Sequence, residues 1–372
     1  MRRVFVGMSG GVDSSVAALL LKEQGYEVAG IYMKNWTQDL PNLKCPWRDD
    51  FNDAKRVAVQ LGIDFKVYDF QEEYKHKVVD YMIREYQAGR TPNPDIMCNQ
   101  EVKFKLFLET ALEDGADMIA TGHYARVIGL TYHKQKTEVS NKNTDVTGLT
   151  YHMATAKDGN KDQTYFLYRI TQAALSKTLF PLGELTKPEV KALAQKHKLM
   201  TADKKESMGI CFVGKVPIKD FLEQFIKTKH GKIINQSASR RRHVIGEHDG
   251  AIFYTIGQRH GLNIGGGLPY YVTGKNMKKN EVYVTTDLQD EKLWSDKIKL
   301  TDMHWINGEP SAKYNLQVRT RHRAKLITVK KLDLLSNSKA TVELDEEVRA
   351  LTPGQSAVFY SGQECLGGGI VI

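Results

Sequence analysis

The feature that most constrains this chain is a glycine-rich turn that joins an apolar strand to an apolar helix. Residues 4–6 are apolar, residues 16–21 have helical periodicity, and between them lies Gly7-Met8-Ser9-Gly10-Gly11-Val12-Asp13-Ser14-Ser15. Glycines let a backbone approach an anion closely, and the amide N–H groups of such a turn, together with a helix N-terminus, attract negative charge. The spacing is neither the Walker sequence nor the dinucleotide-binding fingerprint. We therefore expect this turn to bind phosphate.

This turn resembles the PP-loop of enzymes that cleave ATP to AMP and pyrophosphate. The alternative is a Gly/Ser turn that only connects a strand to a helix. After the turn, residues 27–33 and 65–68 read as strands and residues 51–61 and 74–86 as helices. This alternation predicts an α/β fold with a doubly wound parallel sheet. Ligands of such sheets bind at the carboxyl ends of the strands, where residues 9–14 and Met33 fall.

Composition limits the compartment and the partners. The chain has 372 residues, enough for two or three domains, a net charge of +9 and a pI near 9.1, which favours polyanionic partners. No apolar run approaches the roughly 20 residues of a membrane span, and the first residues lack the pattern of a signal peptide. We expect a cytoplasmic protein with no membrane partner. The four cysteines are far apart, which argues against a zinc ribbon or an iron–sulfur cluster.

Two further stretches carry polar residues toward the same edge of the predicted sheet. Residues 89–99 read as an exposed loop because they contain two prolines, and Cys98 comes just before a predicted helix at residues 100–113. A helix N-terminus favours a thiolate, so we expect Cys98 to be reactive rather than a small buried side chain. His123 follows another strand and is either a turn residue or a substrate contact. Lys161, Asp162 and Gln163 either face a ligand or cap a helix.

The pentapeptide Gly129-Leu130-Thr131-Tyr132-His133 recurs at residues 148–152. Two copies cannot form a solenoid, and the Lys/Asn/Thr-rich sequence between them predicts a hairpin extension, to which we assign no chemistry. After about residue 204 the α/β alternation ends. Cys211 and a predicted helix at residues 218–227 follow, and beyond residue 283 only short strands remain, as in a small β-barrel. We expect three domains, at residues 1–204, 205–284 and 285–372.

Six motifs in order resemble those of the tRNA-specific 2-thiouridylase family of PP-loop ATP pyrophosphatases. They are the turn at residues 7–15, Asn-Pro-Asp-x-x-Cys-Asn at 93–99, Thr-Gly-His-Tyr-Ala at 121–125, Asn-Lys-Asp-Gln-Thr-Tyr-Phe-Leu at 160–167, Gly-Ile-Cys-Phe-Val-Gly at 209–214 and Tyr-Thr-Ile-Gly-Gln-Arg at 254–259. The chain departs from the family pattern at Met208 and His260 and has a longer extension at residues 127–158. None of these departures removes a reacting group.

The resemblance implies an ATP-dependent enzyme, with Mg²⁺, that converts the wobble uridine of tRNAs of the Lys, Glu and Gln type to 2-thiouridine. Cys211 would carry a persulfide received from a donor such as a cysteine desulfurase or a sulfur relay protein. The persulfide would attack C2, and Cys98 would then attack the Cys211 sulfur, leaving a Cys98–Cys211 disulfide as thiouridine departs, while Asp95 would act as general acid/base or hold the base. Cys45 and Cys365 match no catalytic position.

The family also implies two sets of contacts. Those to ATP are Gly7, Met8, Ser9, Gly10, Gly11, Val12, Asp13, Ser14, Met33 and Gly122. Those to tRNA are Asn93, Pro94, Asp95, His123, Lys161, Asp162, Gln163, Arg321, His322 and Gln355. No resident metal site is expected in the protein itself.

Two other functions remain open at this point. One is a different PP-loop enzyme, which adenylates a small carboxylate and needs neither reactive cysteines nor a basic barrel. The other is an RNA-binding module with a degenerate nucleotide site, although the intact Gly10, Gly11, Asp13 and Ser14 argue against it.

Overall fold

The computed structural model describes residues 1–39, 45–135, 146–205, 217–237, 243–265, 267–311 and 314–372. For residues 130–135 and 146–148 it describes the backbone alone. Cys211 and its neighbours, Met208 among them, lie outside the described residues. In the part that is described, no helix is long and apolar enough to cross a lipid bilayer.

The first half of the chain builds a five-stranded parallel sheet, in agreement with the predicted α/β fold. Its strands are β1 Arg3–Gly7, β2 Glu27–Lys34, β3 Asp64–Asp69, β4 Met118–Thr121 and β7 Thr178–Leu179. Their order in the sheet is β3-β2-β1-β4-β7. Because the chain proceeds from β1 to β2 and β3 on one side and places β4 on the other, the order reverses between β1 and β4. A crevice for ligands is expected at the carboxyl ends of these two strands.

Helices cover both faces of this sheet. One face carries α1 (Val12–Glu23), α2 (Trp47–Leu61) and α9 (Lys187–Lys196), whose buried aliphatic side chains pack against Val4, Val6 and Val28. The other face carries α3 (Gln71–Tyr74), a π-helix (Lys75–Val79) and α4 (Asp80–Gln87), followed by α5 (Pro94–Met97), a π-helix (Cys98–Leu106) and α6 (Phe107–Glu113). This second face contributes the core around Phe5, Ile31 and Phe107.

The helix that holds Cys98 starts earlier than the predicted residue 100. The Asn93 side chain accepts hydrogen bonds from the amides of Asp95 and Ile96, and Pro94 occupies the first turn, so the helical stretch begins at Pro94 and continues to Glu113. The prolines that suggest a loop are here part of a helix start, a position that tolerates proline because no intrahelical N–H bond is lost. Cys98 therefore lies inside the helix and not in a loop before it.

The duplicated pentapeptides pair with each other. Strand β5 (Ala125–Gln135) runs antiparallel to β6 (Val146–Thr155), with Thr131 opposite Thr150 and His133 opposite Gly148, while Gly129, at φ +66°, occupies a bulge. The predicted hairpin is thus present. It is continuous with the C-terminal sheet, because Met153 of β6 pairs with Cys365.

The remaining chain forms two β-structures joined by short helical segments. Helix α10 (Ile218–Leu222) precedes a four-stranded sheet of β8 (Gly231–Asn235), β9 (His243–His248), β10 (Tyr271–Asn276) and β11 (Glu281–Thr285). The strands that follow are β12 (Trp294–Trp305), β13 (Gln317–Arg319), β14 (Ile327–Leu335), β15 (Lys339–Arg349), β16 (Ser356–Ser361) and β17 (Glu364–Val371). Pairing of β12 with both β15 and β17 closes them into the predicted small barrel.

Candidate active site

The glycine-rich turn follows β1 and leads into α1 at the crevice defined by the sheet order. Gly10 has φ +73°, and a Cβ placed on it would lie 2.2 Å from the carbonyl oxygen of Asp50, so only glycine fits. The amide of Ser9 donates to the Ser14 hydroxyl at 3.2 Å, and this hydroxyl lies 3.1 Å from the Gly11 carbonyl oxygen, to which it donates. These bonds fold the turn around the N-terminus of α1, where no side chain caps the first amides. Amides arranged in this way suit a phosphate group.

The other residues expected to bind ATP converge on the same turn. A Cβ on Gly122, which follows β4, would lie 2.8 Å from the Ser14 nitrogen, so this strand end packs directly on the turn. Met33, 5% exposed, reaches the end of β1, where a Cβ on Gly7 would lie 2.9 Å from its Cε. Met8 and Val12 are buried and anchor the turn. The structure therefore brings the whole predicted set together at the carboxyl ends of β1, β2 and β4.

Asp13 takes part in a partly buried network that sequence reasoning missed. The Lys187 ammonium lies 2.7 and 2.8 Å from the two carboxylate oxygens of Asp13, and the Tyr124 hydroxyl donates to one of them at 2.8 Å. Lys187 is the first residue of α9. The Thr186–Glu189 capping box of this helix indicates a purely structural role when the sequence is read alone. No spacing rule connects residues 13 and 187, so only the fold reveals this pair.

Cys98 lies in the core beside the parallel sheet and not in the exposed loop expected from sequence. Its exposed fraction is 0%, and it packs in the cluster that contains Met33, Trp36 and Ile96. The reason is the early helix start described above, which turns residues 94–98 into a helix packed on the sheet. A helix that leads into the parallel strand β4 must begin at the carboxyl edge of the sheet. Cys98 is therefore near the same edge of the sheet as the phosphate turn, although its helix packs on the opposite face from α1.

Asn99, the neighbour of Cys98, connects this helix to the next segment. Its Nδ2 donates to the carbonyl oxygen of Phe166 at 3.0 Å, whereas its Oδ1 is buried without a hydrogen-bond partner. Buried polar atoms without partners are costly, which is why they are rare in folded proteins. Asn35, just after β2, is similarly buried, and neither of its amide atoms has a hydrogen-bond partner.

His123 and the segment at residues 161–163 lie next to each other, with different degrees of exposure. His123 is buried, its Nδ1 is 2.8 Å from the Thr121 hydroxyl, and burial together with the Lys103 charge holds its pKa well below the ordinary value, so the ring is neutral. Gln163 accepts a hydrogen bond from the Tyr124 amide at 2.9 Å, and Lys161 is partly exposed.

Asp162 is a structural carboxylate in this conformation. It is 3% exposed, it accepts hydrogen bonds from the Ala156 amide and the Thr164 hydroxyl, and Arg319 of the barrel lies 3.7 Å away. Burial raises its pKa. Asp162 is thus a buried anchor between two more accessible side chains, and Gln163 precedes helix Thr164–Leu167 without a side-chain capping bond.

The basic residues of the barrel face the other domains. Arg321 donates to the carbonyl oxygens of Ile256 and Ala350 at 3.1 and 2.8 Å, and burial lowers its pKa. The His322 ring contacts the Phe166 ring at a tilt of 44°, with the centroids 4.6 Å apart, and burial together with nearby arginines lowers the pKa of His322 to about 4. This group of basic side chains is thus a domain junction and not only a solvated patch.

Gln355 belongs to the same junction and identifies Thr91 as its centre. The side-chain Nε2 of Gln355 donates to the Thr91 carbonyl oxygen at 2.7 Å, and the backbone amide of Thr91 donates to the Pro353 carbonyl oxygen. The Thr91 hydroxyl is 3.2 Å from that of Thr255. All three predicted domains meet two residues before Asn93. Thr91 has no sequence signature, and it was missed for that reason.

Mg²⁺ has one acidic residue available in the turn, Asp13. The described residues contain no cluster of three or more His, Cys, Asp and Glu side chains that could hold a metal ion. Mg²⁺ that arrives with a nucleotide is commonly bound by one or two carboxylates and substrate phosphates, and Asp13 suits this form of binding.

Three family models match the chain in the order of these structural units. They are the tRNA methyl transferase HUP domain at residues 2–215, the tRNA methyl transferase PRC-barrel domain at 219–286 and the aminomethyltransferase beta-barrel domain at 295–371. A tRNA-specific 2-thiouridylase of Geobacillus thermodenitrificans is 46% identical over 371 residues, which cover 99% of this chain and 94% of that protein.

The chain belongs to the tRNA-specific 2-thiouridylase family. A second curated 2-thiouridylase, from Bacillus subtilis, is also 46% identical, over 374 residues that cover 99% of this chain and 94% of its own. Among solved structures, a 4-thiouridine synthetase with RNA and bound ATP aligns with 60% of this chain and 50% of its own at 16% identity, with a weak TM-score of 0.37. The family assignment confirms the resemblance that the six motifs indicate.

Proposed function

We propose that this protein uses ATP to replace the C2 oxygen of the wobble uridine of tRNA by sulfur, with 2-thiouridine, AMP and pyrophosphate as products. The observation that carries the proposal is the position of Cys98 on a helix that begins at the same sheet edge as the phosphate turn. Two chemical groups are thereby combined at one edge: a site for the phosphates of ATP and a sulfur nucleophile. Membership of the family over nearly the whole chain supports the choice of substrate.

ATP serves to activate the uracil. The C2 oxygen is a poor leaving group, so it first attacks the α-phosphorus of ATP, pyrophosphate departs, and the oxygen becomes part of a good leaving group, AMP. The turn at residues 7–14 holds the phosphates through backbone amides, and Met33 and Gly122 flank the nucleotide. Bound Mg²⁺, held with the phosphates by Asp13, would offset the negative charge of the pyrophosphate.

Sulfur then displaces the AMP. The terminal sulfur of a Cys211 persulfide attacks C2 and forms a C–S bond, while the C2–O bond breaks and AMP leaves. The Cys98 thiolate next attacks the Cys211 sulfur, so that a Cys98–Cys211 disulfide forms and the electron pair of the broken S–S bond stays on the sulfur of 2-thiouridine. A thiol reductant must restore the cysteines, and a donor such as a cysteine desulfurase or a sulfur relay protein must reload Cys211.

The burial of Cys98 adds a condition to these reaction steps. A side chain with no exposed surface cannot meet uracil or a persulfide, so the segment at residues 89–99 must open when tRNA binds. Thr91, hydrogen-bonded to both C-terminal units, lies at the start of this segment. We propose that tRNA held at the junction of the three domains moves the segment and uncovers the thiol.

The same reasoning assigns the tRNA-binding surface. Asn93, Pro94 and Asp95 would lie against the target base once the segment opens, with Asp95 as its general acid/base. Lys161 and Gln163 next to His123, and Arg321, His322 and Gln355 at the barrel junction, would contact the tRNA backbone, whereas Asp162 holds the position of its neighbours. tRNAs of the Lys, Glu and Gln type, which carry a wobble uridine, are the expected substrates.

Replacement of either cysteine by serine tests the mechanism. Cys98→Ser and Cys211→Ser should each lower 2-thiouridine formation by about 10³-fold or more, because a hydroxyl cannot carry or accept the sulfur. Cys45→Ser is the matched control and should retain wild-type activity. The product is quantified by mass spectrometry of nucleosides after incubation with ATP, a cysteine desulfurase with cysteine as the persulfide donor, a thiol reductant and unmodified tRNA, while AMP is measured in parallel.

Thiolation by either single variant at the wild-type rate would contradict the sulfur-transfer sequence. AMP formation distinguishes the alternative functions. AMP produced equally well without tRNA would indicate a synthetase that acts on a small carboxylate. No AMP under any condition would indicate an RNA-binding module.

A further inference from the structure

The Arg169 guanidinium joins the helical stretch that holds Cys98 to the C-terminal barrel. Its Nε donates to the side-chain oxygen of Gln100, two residues after Cys98. On the barrel side, its Nη1 donates to the Asp302 carbonyl oxygen at 2.9 Å, and its Nη2 lies 3.0 Å from the Asp302 carboxylate. The Arg169 side chain is only 10% exposed, so these contacts replace most of its hydration. One side chain thus connects two separate units of the fold.

The segment that carries Arg169 is fixed to the barrel. The Tyr165 hydroxyl donates to the carbonyl oxygen of Ser356, the first residue of β16, at 2.9 Å. The Tyr168 ring packs on β17, because a Cβ placed on Gly368 would lie 2.9 Å from its Cδ2. Arg169 therefore belongs to the barrel, whereas the side chain that accepts its Nε–H bond belongs to the helical stretch.

Two consecutive residues of the helical stretch bind to this segment. Asn99 donates to the Phe166 carbonyl oxygen at 3.0 Å, and Gln100 accepts from Arg169. Both lie in the π-helix Cys98–Leu106, a conformation that is rare and occurs frequently at functional sites. Because Cys98 directly precedes them, the contacts that fix these two residues also fix the thiol in the core.

The chemistry of the contact suits a connection that can open. A guanidinium presents its donors in a planar fork and reaches several acceptors at once, which the single ammonium of lysine does not. Asp302 has φ +52°, a conformation that aspartate tolerates, at the bulge of β12, and both its carbonyl and its carboxylate contact Arg169. Its side chain is 57% exposed, so this carboxylate remains hydrated when the contact breaks.

We propose that Arg169 is a positioning residue that holds the helical stretch against the barrel and keeps the Cys98 thiol covered until this contact separates. The inference rests on the proposed function, from which it takes the requirement that Cys98 be uncovered. By linkage, a ligand that binds better when the helical stretch and the barrel are apart favours the exposed thiol, and the exposed thiol favours that ligand. tRNA bound at the barrel junction is such a ligand.

Alkylation of individual cysteines by iodoacetamide, in the full-length protein without ATP, tRNA or a sulfur donor, tests this role. Arg169→Met and Gln100→Met each remove one partner of the connecting hydrogen bond. Loss of a hydrogen bond to a charged group should accelerate alkylation of Cys98 by about 10-fold or more through local opening. Alkylation of Cys365 in the barrel, 1% exposed, should stay within about 2-fold.

Two of these variants keep the experiment decisive. Gln100→Met leaves the contact between Arg169 and Asp302 intact, so it gives the answer if Arg169→Met fails to fold. The double variant Gln100→Met/Arg169→Met should react no faster than Arg169→Met, because both changes remove the same contact. Arg169→Lys keeps the charge without the fork and should react as fast as Arg169→Met.

Arg126→Met is the matched control. Arg126 is 17% exposed and likewise connects to the barrel, because it donates to the side-chain oxygen of Gln363 and to the Thr155 carbonyl oxygen, both at 2.7 Å. These two partners lie outside the helical stretch of Cys98. The variant should therefore leave the alkylation rate of Cys98 unchanged.

Unchanged alkylation of Cys98 in Gln100→Met and Arg169→Met would overturn the proposal. Equal acceleration of Cys98 and Cys365, or acceleration of Cys98 in Arg126→Met as well, would show a general loss of stability and would also overturn it. A wild-type rate in Arg169→Lys would show that charge alone is sufficient and would refute the bridging role. Because the assay contains no substrate, absence of thiolation by the wild-type protein would contradict the proposed function and leave the alkylation result unaffected.

Discussion

The glycine-rich turn and the helical stretch that holds Cys98 lie at the same edge of one sheet, but they differ in exposure to solvent. The turn is built from backbone amides around Gly10 and Gly11, and Ser9 is exposed to solvent. Cys98 is completely covered, and its neighbour Asn99 is fixed to Phe166. In the proposed mechanism, this difference means that the turn is accessible to a nucleotide before tRNA binds, whereas Cys98 must first be uncovered.

Covering Cys98 until tRNA binds would protect its thiol from side reactions. A persulfide or thiolate that is exposed to solvent reacts with oxidants and other thiols, and its reactivity follows its accessibility. Covering Cys98 until tRNA is in place would restrict sulfur transfer to the correct acceptor. ATP, in contrast, is stable in water and needs no such protection.

Apart from the cysteine variants, the largest expected effect comes from changing the glycine-rich turn. Gly10→Ala places a Cβ at 2.2 Å from the Asp50 carbonyl oxygen at a φ of +73°, so the turn must shift. Because displacement of a positioned group by about 1 Å typically costs on the order of 10²-fold, we expect at least this loss in tRNA-dependent AMP formation. The measurement is AMP release at saturating tRNA.

Gly25→Ala is the control for this variant, since Gly25 also has a positive φ, +83°, but no atom within 4 Å of the added Cβ. It should lower stability by about 1 kcal/mol through backbone strain alone and leave AMP release unchanged. Normal AMP release by Gly10→Ala would mean that the turn does not position the phosphates.

A smaller effect, on the pH dependence of stability, is expected for His322. Its pKa is lowered from the ordinary 6.5 to about 4, so between these values the unfolded chain binds a proton that the folded protein does not. Stability should therefore fall as the pH decreases from about 6.5 to about 4, and the contribution of His322 should be fully present only above this window. His322→Phe keeps a ring against Phe166 and cannot be protonated.

Urea denaturation at several pH values measures this contribution. The free energy of unfolding of His322→Phe should decrease less steeply on acidification than that of the wild-type protein. His123, whose pKa is also lowered, remains in both proteins, so part of the slope persists. Identical slopes would mean that the His322 ring is not desolvated against Phe166.

The two regions also differ in how far the sequence predicts them. The turn is encoded locally, because the glycines, the preceding apolar strand and the following helix are contiguous, and its contacts with Gly122 and Met33 follow from the parallel sheet. The α/β fold, the hairpin and the barrel were predicted for similar reasons. The Asn93–Pro94 pair contained a valid helix-start signal that the two prolines obscured.

The parts that could not be predicted depend on contacts between distant segments. Burial of Cys98 results from packing against β2 and the segment after it, and the partners of Asp162 and Arg321 come from other units of the fold. Lys187 reaches Asp13 only because α9 packs beside α1. Periodicity and composition describe what a segment can form, but they do not specify which distant side chain it meets.

The most direct test of the difference between the two regions is the alkylation rate of individual cysteines, followed by peptide mass spectrometry with iodoacetamide. In the free protein, with or without ATP, Cys98 should react as slowly as Cys365, which is 1% exposed and serves as the internal reference. Unmodified substrate tRNA should accelerate alkylation of Cys98 by about 10-fold or more through local opening and leave Cys365 unchanged. Rapid alkylation of Cys98 without tRNA, or no acceleration with it, would contradict the account.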